Sequence, residues 1–216
     1  MNCDDKRKNF VDEKNRDCDL FLFELRKFAE KNNIPIVSNE VARFLSLMLD
    51  LKRPKRILEL GCAIGYSSIL MSRFLDKNGI IFSIEISEKM IELAKKNFEL
   101  AKIDYINLIK GDIKNILPDL ILNGEKFDFI FMDCAKGQYV NILPFCLDLL
   151  SLNGIIVADD IFQNGNILKK RLEVPRRQRT IYTRMNNFIN SIFENKNLES
   201  KIFNIGDGVI VSKKIL

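Results

Sequence analysis

Two acidic sites and a lysine follow apolar runs in the second half of the chain. Asp133 comes directly after the run Phe127–Met132, Lys136 stands three residues further on, and Asp159-Asp160 ends a second run. Neighbouring parallel strands lie about 4.8 Å apart, so acids at their ends can converge on one cation. Carboxylates without histidine or cysteine favour Mg²⁺, Mn²⁺ or Ca²⁺ over zinc. The simpler alternative is a solvated lysine at a helix start and a pair of loop acids, one of them a helix cap.

The chain contains no histidine, which excludes Ser-His-Asp and Cys-His mechanisms and the common imidazole metal sites. Catalysis would therefore depend on carboxylates, lysines, tyrosines or a bound metal. The five cysteines form no C-x-x-C pair and mostly lie in apolar runs, as reduced buried thiols do. They are Cys3, Cys18, Cys62, Cys134 and Cys146.

A glycine turn joins a predicted strand to a predicted helix within Ile57–Ser67. In open α/β sheets the crevice beyond the carboxyl end of such a strand binds ligands, and glycine lets a ligand approach the backbone closely. A dinucleotide pyrophosphate requires G-x-G-x-x-G, whereas three residues separate Gly61 from Gly65. A nicotinamide dehydrogenase is therefore the weakest candidate, and a plain strand-to-helix connection stays an alternative.

Three acidic residues end three successive predicted strands: Glu85, Asp112 and Asp133. Glu85 ends the strand next to the glycine turn, where a carboxylate can accept hydrogen bonds from both hydroxyls of a ribose. Each acid alone is about equally well explained as a helix N-cap. Together, around a glycine turn, they predict a pocket for a nucleoside with a cationic tail.

The elements that must position these residues alternate between strand and helix. Short runs rich in Ile, Phe and Val predict strands, and the longer segments between them have helical periodicity. This alternation is typical of a parallel sheet with helices on both faces. The predicted strands are Arg56–Leu60, Ile80–Ile86, Tyr105–Lys110, Phe127–Met132 and Ile155–Ala158, and the helices between them include Ser87–Ala101 and Gln138–Leu150.

The two ends of the chain depart from this alternation. Helical periodicity covers Asn15–Asn32, and Ser38 is the predicted cap of a second helix. At the other end, Leu198–Ile205 and Gly208–Lys213 predict antiparallel strands joined by a tight turn. We therefore predict an α/β fold with a seven-stranded, mainly parallel sheet and a C-terminal antiparallel hairpin. Residues 1–216 would form one domain, with a helical N-terminal extension over 1–52 and a core over 53–216.

The positive charge is concentrated in one segment that follows Asp159-Asp160. Residues 169–184 hold seven basic residues and one acid, a net of +6, whereas the whole chain is +5, so the remainder sums to −1. Arginine binds phosphate bidentately and a phosphodiester chain gains from each one, whereas a small catechol gains little. The alternative is the solvated side of a helix whose apolar residues anchor it in the core. The basic residues are Lys169, Lys170, Arg171, Arg176, Arg177, Arg179 and Arg184.

The composition is that of an ordinary globular protein, with 47% hydrophobic and 29% charged residues in 216. It excludes a disordered tail, a collagen-like fibre and a disulfide miniprotein. No stretch approaches the roughly 18 apolar residues that span a bilayer, and the N-terminus lacks the apolar core of a signal peptide. We expect a cytoplasmic protein without membrane contact.

The run Ile57–Ser67, the three strand-end acids and the closing hairpin resemble the class I S-adenosylmethionine-dependent methyltransferases. The wider pattern, from about Ile34 to the end, resembles the metal-dependent, catechol-type O-methyltransferases. The resemblance implies that Gly61, Tyr66 and Ser67 line the methionine part of the cofactor. It also implies that Glu85 binds the ribose and Asp112 the adenine. The full cofactor-binding set implied is Val37, Glu59, Gly61, Gly65, Tyr66, Ser67, Glu85, Asp112, Ile113 and Asp133.

The same resemblance implies that Asp133 and Asp159 bind Mg²⁺ or another divalent cation together with Asp160, where the family has asparagine. This departure makes the site one charge more negative. Lys136 matches the general base of the family and forms the implied catalytic pair with Asp133. In such a mechanism the metal lowers the pKa of a bound hydroxyl, a neutral lysine takes its proton, and the oxyanion attacks the sulfonium methyl.

A closer resemblance is to the bacterial tRNA 5-hydroxyuridine methyltransferases. It rests on Ala63–Ser67, Asp133–Tyr139, the arginine-rich stretch and Ile205–Lys214, of which K-G-Q-Y and G-D-G-x-x-x-S-K-K are the more specific parts. It implies conversion of the wobble uridine at tRNA position 34 to 5-methoxyuridine by a homodimer. The residues that would bind the RNA are Arg171, Arg176, Arg177, Arg179 and Arg184.

Two other functions stay open. A small-molecule O-methyltransferase acting on catechols or hydroxycinnamoyl-type phenols would share every cofactor and metal residue and differ only at the rim of the site. A non-catalytic, cofactor-binding RNA module would account for Asp160 in place of asparagine. The basic segment separates the first alternative from a tRNA enzyme, and Lys136 separates the second.

Overall fold

Two capped helices precede the sheet. In α1 (Leu20–Lys31) the carboxylate of Asp19 accepts hydrogen bonds from the first amides. In α2 (Asn39–Lys52) the hydroxyl of Ser38 accepts from the amide of Val41, so the predicted cap is confirmed. The computed structural model describes residues 6, 10, 11, 13, 14 and 19–216. The predicted helix start at Asn15, together with Cys3 and Cys18, lies outside these described residues.

Seven strands form one sheet in the order β3-β2-β1-β4-β5-β7-β6. Strands β1 to β5 pair in parallel, and β7 pairs antiparallel with both β5 and β6. The predicted α/β fold class, with its mainly parallel sheet and C-terminal hairpin, is confirmed. The strands are β1 Arg56–Leu60, β2 Ile80–Glu85, β3 Ile106–Lys110, β4 Phe127–Met132, β5 Leu150–Ala158, β6 Leu198–Phe203 and β7 Val209–Lys214.

Helices cover both faces of this sheet because neighbouring strand residues point in opposite directions. Ile57 of β1 belongs to a core shared with α1 and α2, whereas Leu58 belongs to a core on the other face. None of the helices in the described part of the chain is long and apolar enough to cross a bilayer. The remaining helices are α3 Tyr66–Ser72, α4 Glu88–Leu100, α5 Ile113–Leu122, α6 Tyr139–Leu149 and α7 Arg179–Glu194, with 3-10 turns at Lys136–Gln138, Asn166–Leu168 and Arg176–Gln178.

The fifth strand begins five residues earlier than Ile155, where the sequence places it. Leu150 ends the predicted helix, but it is buried and pairs with Phe127 of β4. A register shift between Phe127 and Phe129 accommodates the extra residues. The intervening Ser151, Asn153 and Gly154 have weak strand propensity, which is why the periodic pattern does not reveal this half of the strand.

The order of the strands reverses between β1 and β4. Strands β2 and β3 lie on one side of β1, and the chain then returns to place β4 and β5 on the other side. In open α/β sheets ligands bind at such a reversal, outside the carboxyl ends of the strands. The residues that follow β1, β2, β4 and β5 therefore define the place of the site.

Gly61, at the end of β1, has no room for a side chain. Its φ is +101°, and a Cβ atom would lie 2.3 Å from the carbonyl oxygen of Asp133. Gly124 provides a matched control, since its φ is +71° but a Cβ there meets nothing within 4 Å.

We expect Gly124→Ala to lower the free energy of unfolding by about 1 kcal/mol through backbone strain alone. Gly61→Ala should lower it by at least about 3 kcal/mol, because the backbone carrying Asp133 must also move. Urea unfolding of the two variants measures the difference. Equal losses would show that no tight contact exists between Gly61 and Asp133.

Candidate active site

A cavity of about 550 Å³ opens at the carboxyl ends of β1, β2 and β4. Its walls include the glycine turn, Glu85 at the end of β2, Asp133 directly after β4, and the 3-10 turn that begins at Lys136. Eight of the ten predicted cofactor-binding residues line it: Val37, Gly61, Tyr66, Ser67, Glu85, Asp112, Ile113 and Asp133. Glu59 and Gly65 are not on its walls.

Gly65 supports the cavity from behind. It precedes α3 with a φ of +83°, and its amide donates to the carbonyl oxygen of Cys62. A Cβ atom at Gly65 would lie 2.5 Å from the ring of Phe98 in α4. Its glycine character therefore serves the turn and the packing of α4.

Glu85 is fixed in place by the backbone around it. Its Oε2 atom accepts a hydrogen bond from the amide of Ala63 in the glycine turn, at 2.8 Å. Its Oε1 atom accepts from the amides of Ile86 and Ser87, at 2.9 Å each. The carboxylate thus ties the glycine turn to the end of β2 and faces the cavity in a defined orientation.

Asp112 occupies both of the places that the sequence presents as alternatives, a helix cap and the wall of the cavity. Its carboxylate accepts a hydrogen bond from the amide of Lys114 and caps α5. It also lines the cavity, as does the adjacent Ile113. A helix cap at a strand end and a ligand contact are therefore compatible at this position.

Glu59 lies beneath the cavity wall and is completely buried. One carboxylate oxygen accepts hydrogen bonds from the hydroxyls of Ser68 and Ser83, and Ser67 also lies within hydrogen-bonding reach. Burial, opposed by the hydrogen bonds and reinforced by the charge of Asp133, raises the pKa of Glu59 to about 7. The carboxylate lies behind the cavity wall, next to Ser67, which lines the cavity.

This pKa predicts a measurable pH dependence of stability. Because the pKa of Glu59 is raised on folding, from 4.5 to about 7, its stabilising contribution is complete below pH 4.5 and is lost as the pH rises through 7. Between pH 5 and pH 8 this group alone should lower the free energy of unfolding by about 2 to 3 kcal/mol.

Urea unfolding of wild type and Glu59→Gln at the two pH values tests this expectation. The variant should lose that part of the pH dependence, whatever its absolute stability. The part due to Asp159, whose pKa is also raised to about 7, should remain. Glu99→Gln, at an exposed position of α4, should keep the wild-type dependence. Equal dependence in wild type and Glu59→Gln would contradict the raised pKa.

Lys136 is at the centre of a polar cluster beyond the carboxyl end of β4. Its Nζ atom donates to Asp133 Oδ1 at 2.6 Å and to the hydroxyl of Tyr139 at 3.2 Å, and it pairs with Asp160 Oδ2 at 3.2 Å. Burial alone would lower the pKa of Lys136, but Tyr139, Asp133 and Asp160 together raise it well above its ordinary value. In this arrangement Lys136 is an ammonium ion.

Asp159 is buried, whereas Asp160 is half-exposed and lines the cavity. The Oδ1 atom of Asp159 accepts a hydrogen bond from the amide of Asp160 at 2.7 Å. Burial and the nearby charges of Asp133 and Asp160 raise the pKa of Asp159 to about 7. Asp160 has a φ of +55°, a left-handed conformation that suits asparagine and aspartate.

The carboxylates of Asp133, Asp159 and Asp160 are the candidate ligands of a cation. Among the residues that the structure describes, no three acidic, cysteine or histidine side chains are grouped as metal ligands. The ammonium of Lys136 instead lies between Asp133 and Asp160. Asp133, Asp159 and Asp160 nevertheless provide hard oxygen donors, which are the ligands that a divalent cation prefers. Burial and the two neighbouring carboxylates raise the pKa of Asp159, and a bound cation would offset both effects. The donor set thus fits such a cation, and the lysine supplies the positive charge in this arrangement.

The basic segment lies next to the turn that carries Lys136 but outside the cavity walls. Arg184 of α7 donates to the carbonyl oxygen of Gly137 at 3.2 Å. Arg179 is used within the segment itself, since its guanidinium donates to the carbonyl oxygens of Val174 and Leu172. The side chains of the other three predicted RNA-binding residues are exposed and form no hydrogen bond or ion pair with the described residues: Arg171, Arg176 and Arg177.

Several residues of the site were not predicted. Gln138, Ile36, Met90 and Ile142 line the cavity, and Tyr139 contacts Lys136 from below. The signal for Tyr139 was its position three residues after Lys136, which places both on one side of a helical turn. The apolar lining residues carry no such signal, because their side chains are typical of any core.

The loop after β5 is held by the turn of the hairpin. The amides of Ile161 and Phe162 donate to the carbonyl oxygens of Gly208 and Asp207, and the Asp207 carboxylate accepts from the amide of Asn164. The G-D-G motif therefore fixes the backbone that follows Asp160. The sequence predicts this motif as a hairpin turn and as one of the more specific parts of the family resemblance, but not its contacts with the loop after β5.

Sheet order, closing hairpin and cavity together define the class I methyltransferase fold. The O-methyltransferase of Bacillus cereus, solved in complex with SAH, has the same fold with a TM-score of 0.85 at 24% identity, covering 95% of this chain and 96% of that one. A model of the O-methyltransferase family matches residues 12–215. The chain belongs to the O-methyltransferase family.

Two curated relatives are similar in sequence. Catechol O-methyltransferase of Niastella koreensis is 36% identical over 64% of this chain, and the match spans slightly under two thirds of that protein, 64%. Tapetum-specific methyltransferase 1 of Arabidopsis thaliana is 31% identical over 80% of this chain and 75% of its own length. The sequence resemblance to catechol-type O-methyltransferases is confirmed at this level.

Proposed function

We propose that the protein transfers a methyl group from S-adenosylmethionine to the 5-oxygen of 5-hydroxyuridine at the wobble position of tRNA. The observation that carries the proposal is the arrangement at one cavity of a glycine turn, a lysine–carboxylate cluster and a basic rim. The first would bind the cofactor, the second would handle the proton, and the third would bind the phosphates of the substrate.

The cofactor would lie along the glycine turn. Gly61, Tyr66 and Ser67 would contact its methionine part, and the buried carboxylate of Glu59, next to Ser67, would provide negative charge opposite the ammonium of that group. The fixed carboxylate of Glu85 would accept the ribose hydroxyls. Asp112 and Ile113 would flank the adenine, and Val37 would close the cavity from the N-terminal side.

Lys136 would take the proton of the acceptor hydroxyl. The acceptor oxygen then forms a bond to the methyl carbon as the bond from that carbon to sulfur breaks, leaving S-adenosylhomocysteine. When bound by Asp133, Asp159 and Asp160, Mg²⁺ or another divalent cation would supply positive charge that lowers the pKa of both the acceptor hydroxyl and Lys136. Lys136 must lose its ammonium proton before it can act as a base, and Asp133 would orient its amine.

An RNA substrate accounts for the charge around the cavity. Exposed Arg171, Arg176 and Arg177 belong to the basic segment, residues 169–184, and helix α7, which begins within it, contacts the turn carrying Lys136. Single-stranded anticodon bases can be splayed into a pocket at little cost. A 5-hydroxypyrimidine has a hydroxyl next to a carbonyl oxygen, as a catechol has two adjacent oxygens. A tRNA substrate would also place the enzyme in the cytoplasm.

A second candidate is a small-molecule O-methyltransferase. The specific observation in its favour is the similarity to a catechol O-methyltransferase and to other relatives named as caffeoyl-CoA O-methyltransferases. Such an enzyme would use the same cofactor and carboxylate residues. It would not need the exposed arginines, so the acceptor preference separates the two candidates.

Nucleoside mass spectrometry provides the direct test. We would incubate the protein with S-adenosylmethionine, Mg²⁺ and tRNA carrying 5-hydroxyuridine, alongside a chelated control and a parallel reaction with catechol. A gain of one methyl group on that nucleoside, lost on chelation, is the expected result. Methylation of catechol without methylation of tRNA would move the substrate to the small-molecule class.

A homodimer is a further part of the proposal. Exposed apolar side chains on α1 and α2, namely Leu20, Phe23, Leu47 and Leu51, provide surface that a second copy could cover. Analytical ultracentrifugation across a concentration series measures the stoichiometry. A monomer at all concentrations would contradict it.

A further inference from the structure

Tyr139 is completely buried next to the cavity but does not line it. Its hydroxyl donates to the carbonyl oxygen of Met132 at 2.6 Å and lies 3.2 Å from the carbonyl oxygen of Asp159. It also accepts a hydrogen bond from the Nζ atom of Lys136 at 3.2 Å. One hydroxyl therefore contacts the backbone at the ends of β4 and β5 and the amine between them.

The geometry assigns a direction to these contacts. A phenol has one hydrogen, which the short distance places on Met132, and its oxygen lone pairs remain for the amine. Burial raises the pKa of Tyr139 well above its ordinary value, so the hydroxyl keeps this hydrogen. The ammonium donates hydrogen bonds to Asp133 and Tyr139 and forms an ion pair with Asp160. Tyr139 is the one uncharged member of this set.

We infer that Tyr139 is a positioning residue for methyl transfer, which holds the Nζ atom of Lys136 and the ends of β4 and β5 in their working geometry. The inference rests on the proposed role of Lys136 as the base. A neutral lysine has two hydrogens and one lone pair. Hydrogen bonds to Asp133 and Tyr139 would use both hydrogens and leave the lone pair for the acceptor hydroxyl.

The ring of Tyr139 allows its hydroxyl to be tested separately. It packs edge to face against Phe188 of α7, with ring centroids 5.2 Å apart. Tyr139→Phe keeps this packing and removes only the hydroxyl. Tyr105→Phe is a matched control, because Tyr105 is exposed and lies outside the cavity walls.

For Tyr139→Phe we expect kcat to fall about 10- to 100-fold, the loss typical of one hydrogen bond to a charged group. The KM values for S-adenosylmethionine and acceptor should stay within about twofold, since the residue touches neither ligand. In a Lys136→Met background the same change should have no additional effect, because Tyr139 acts through the amine. A kcat within twofold of wild type, or an equal loss in both backgrounds, would overturn the inference.

A spectroscopic measurement separates this inference from the proposed function. The ¹⁵N-labelled ammonium of Lys136 should give a resolved ¹H–¹⁵N signal, assigned by its loss in Lys136→Met. The signal should shift or broaden in Tyr139→Phe and not in Tyr105→Phe. An unchanged signal, or none in the wild type, would overturn the inference. Wild-type protein that methylates neither tRNA nor catechol would contradict the proposed function, and this comparison would still decide whether Tyr139 holds the amine.

Discussion

Lys136→Met is expected to lower kcat for methyl transfer by about 10³-fold, within the range that a general base contributes. The side chain of Lys136 lies between two carboxylates on the cavity wall, and its Nζ atom is 2.6 Å from Asp133. Methionine keeps the length and the apolar stem while removing the amine. Single-turnover methylation of 5-hydroxyuridine-containing tRNA measures the chemical step without product release.

The binding of S-adenosylhomocysteine provides the control for this variant. Calorimetry should give a dissociation constant within a few-fold of wild type, because the residues proposed to bind the cofactor are unchanged. Lys89→Met, at an exposed position of α4, should keep full activity. Retention of activity in Lys136→Met would exclude the lysine as base. Wild-type protein that binds the cofactor and tRNA but methylates no acceptor would favour the non-catalytic RNA-binding module.

The positions of the site residues along the sheet were predictable from sequence, because they follow from local patterns. Strand–helix alternation predicts the strand that ends at Leu60 and the glycine turn that follows it. It also predicts the places of Glu85 at the end of β2 and Asp133 after β4. Parallel pairing then brings these strand ends to one edge. The convergence of Glu85, Asp112 and Asp133 on a single cavity required no knowledge of side-chain conformation.

Side-chain partners could not be predicted in the same way. That Lys136 bridges Asp133 and Asp160 depends on rotamers and on the left-handed backbone at Asp160. That the Glu59 carboxylate accepts hydrogen bonds from Ser68 and Ser83 depends on how β1 packs against α3 and β2. Such contacts are decided by packing between elements, which a periodic pattern does not encode.

The arginine segment shows how this difference alters an experiment. Sequence alone treats Arg176, Arg177 and Arg179 as equivalent, but the guanidinium of Arg179 donates to two carbonyl oxygens of its own segment. Replacing it would disturb the loop as well as any RNA contact. The side chain of Arg171 is exposed and forms no hydrogen bond or ion pair with any residue that the structure describes, so its replacement removes a charge without disturbing the loop.

Combined replacement of Arg171, Arg176 and Arg177 by glutamine is expected to weaken tRNA binding about 10- to 100-fold at moderate salt. If each arginine contacts one phosphate, the slope of log K against log salt should fall by about 2 to 3, because fewer counterions are released. Fluorescence anisotropy with labelled tRNA over a salt series measures both quantities. The KM for S-adenosylmethionine and the rate with catechol should not change, because these side chains lie outside the cavity walls.

A charge-matched control distinguishes contact from general attraction. Replacing Lys89, Lys95 and Lys96 of α4 by glutamine removes the same three charges from another exposed surface. If the basic segment binds the substrate, this control should keep most of the affinity and nearly all of the salt slope. Equal losses in the two triple variants would mean that net charge alone attracts RNA. A further outcome is that the arginine variant alone loses tRNA methylation while both variants still methylate catechol. That result would mean that the basic segment selects the substrate and that the cavity residues carry out methyl transfer.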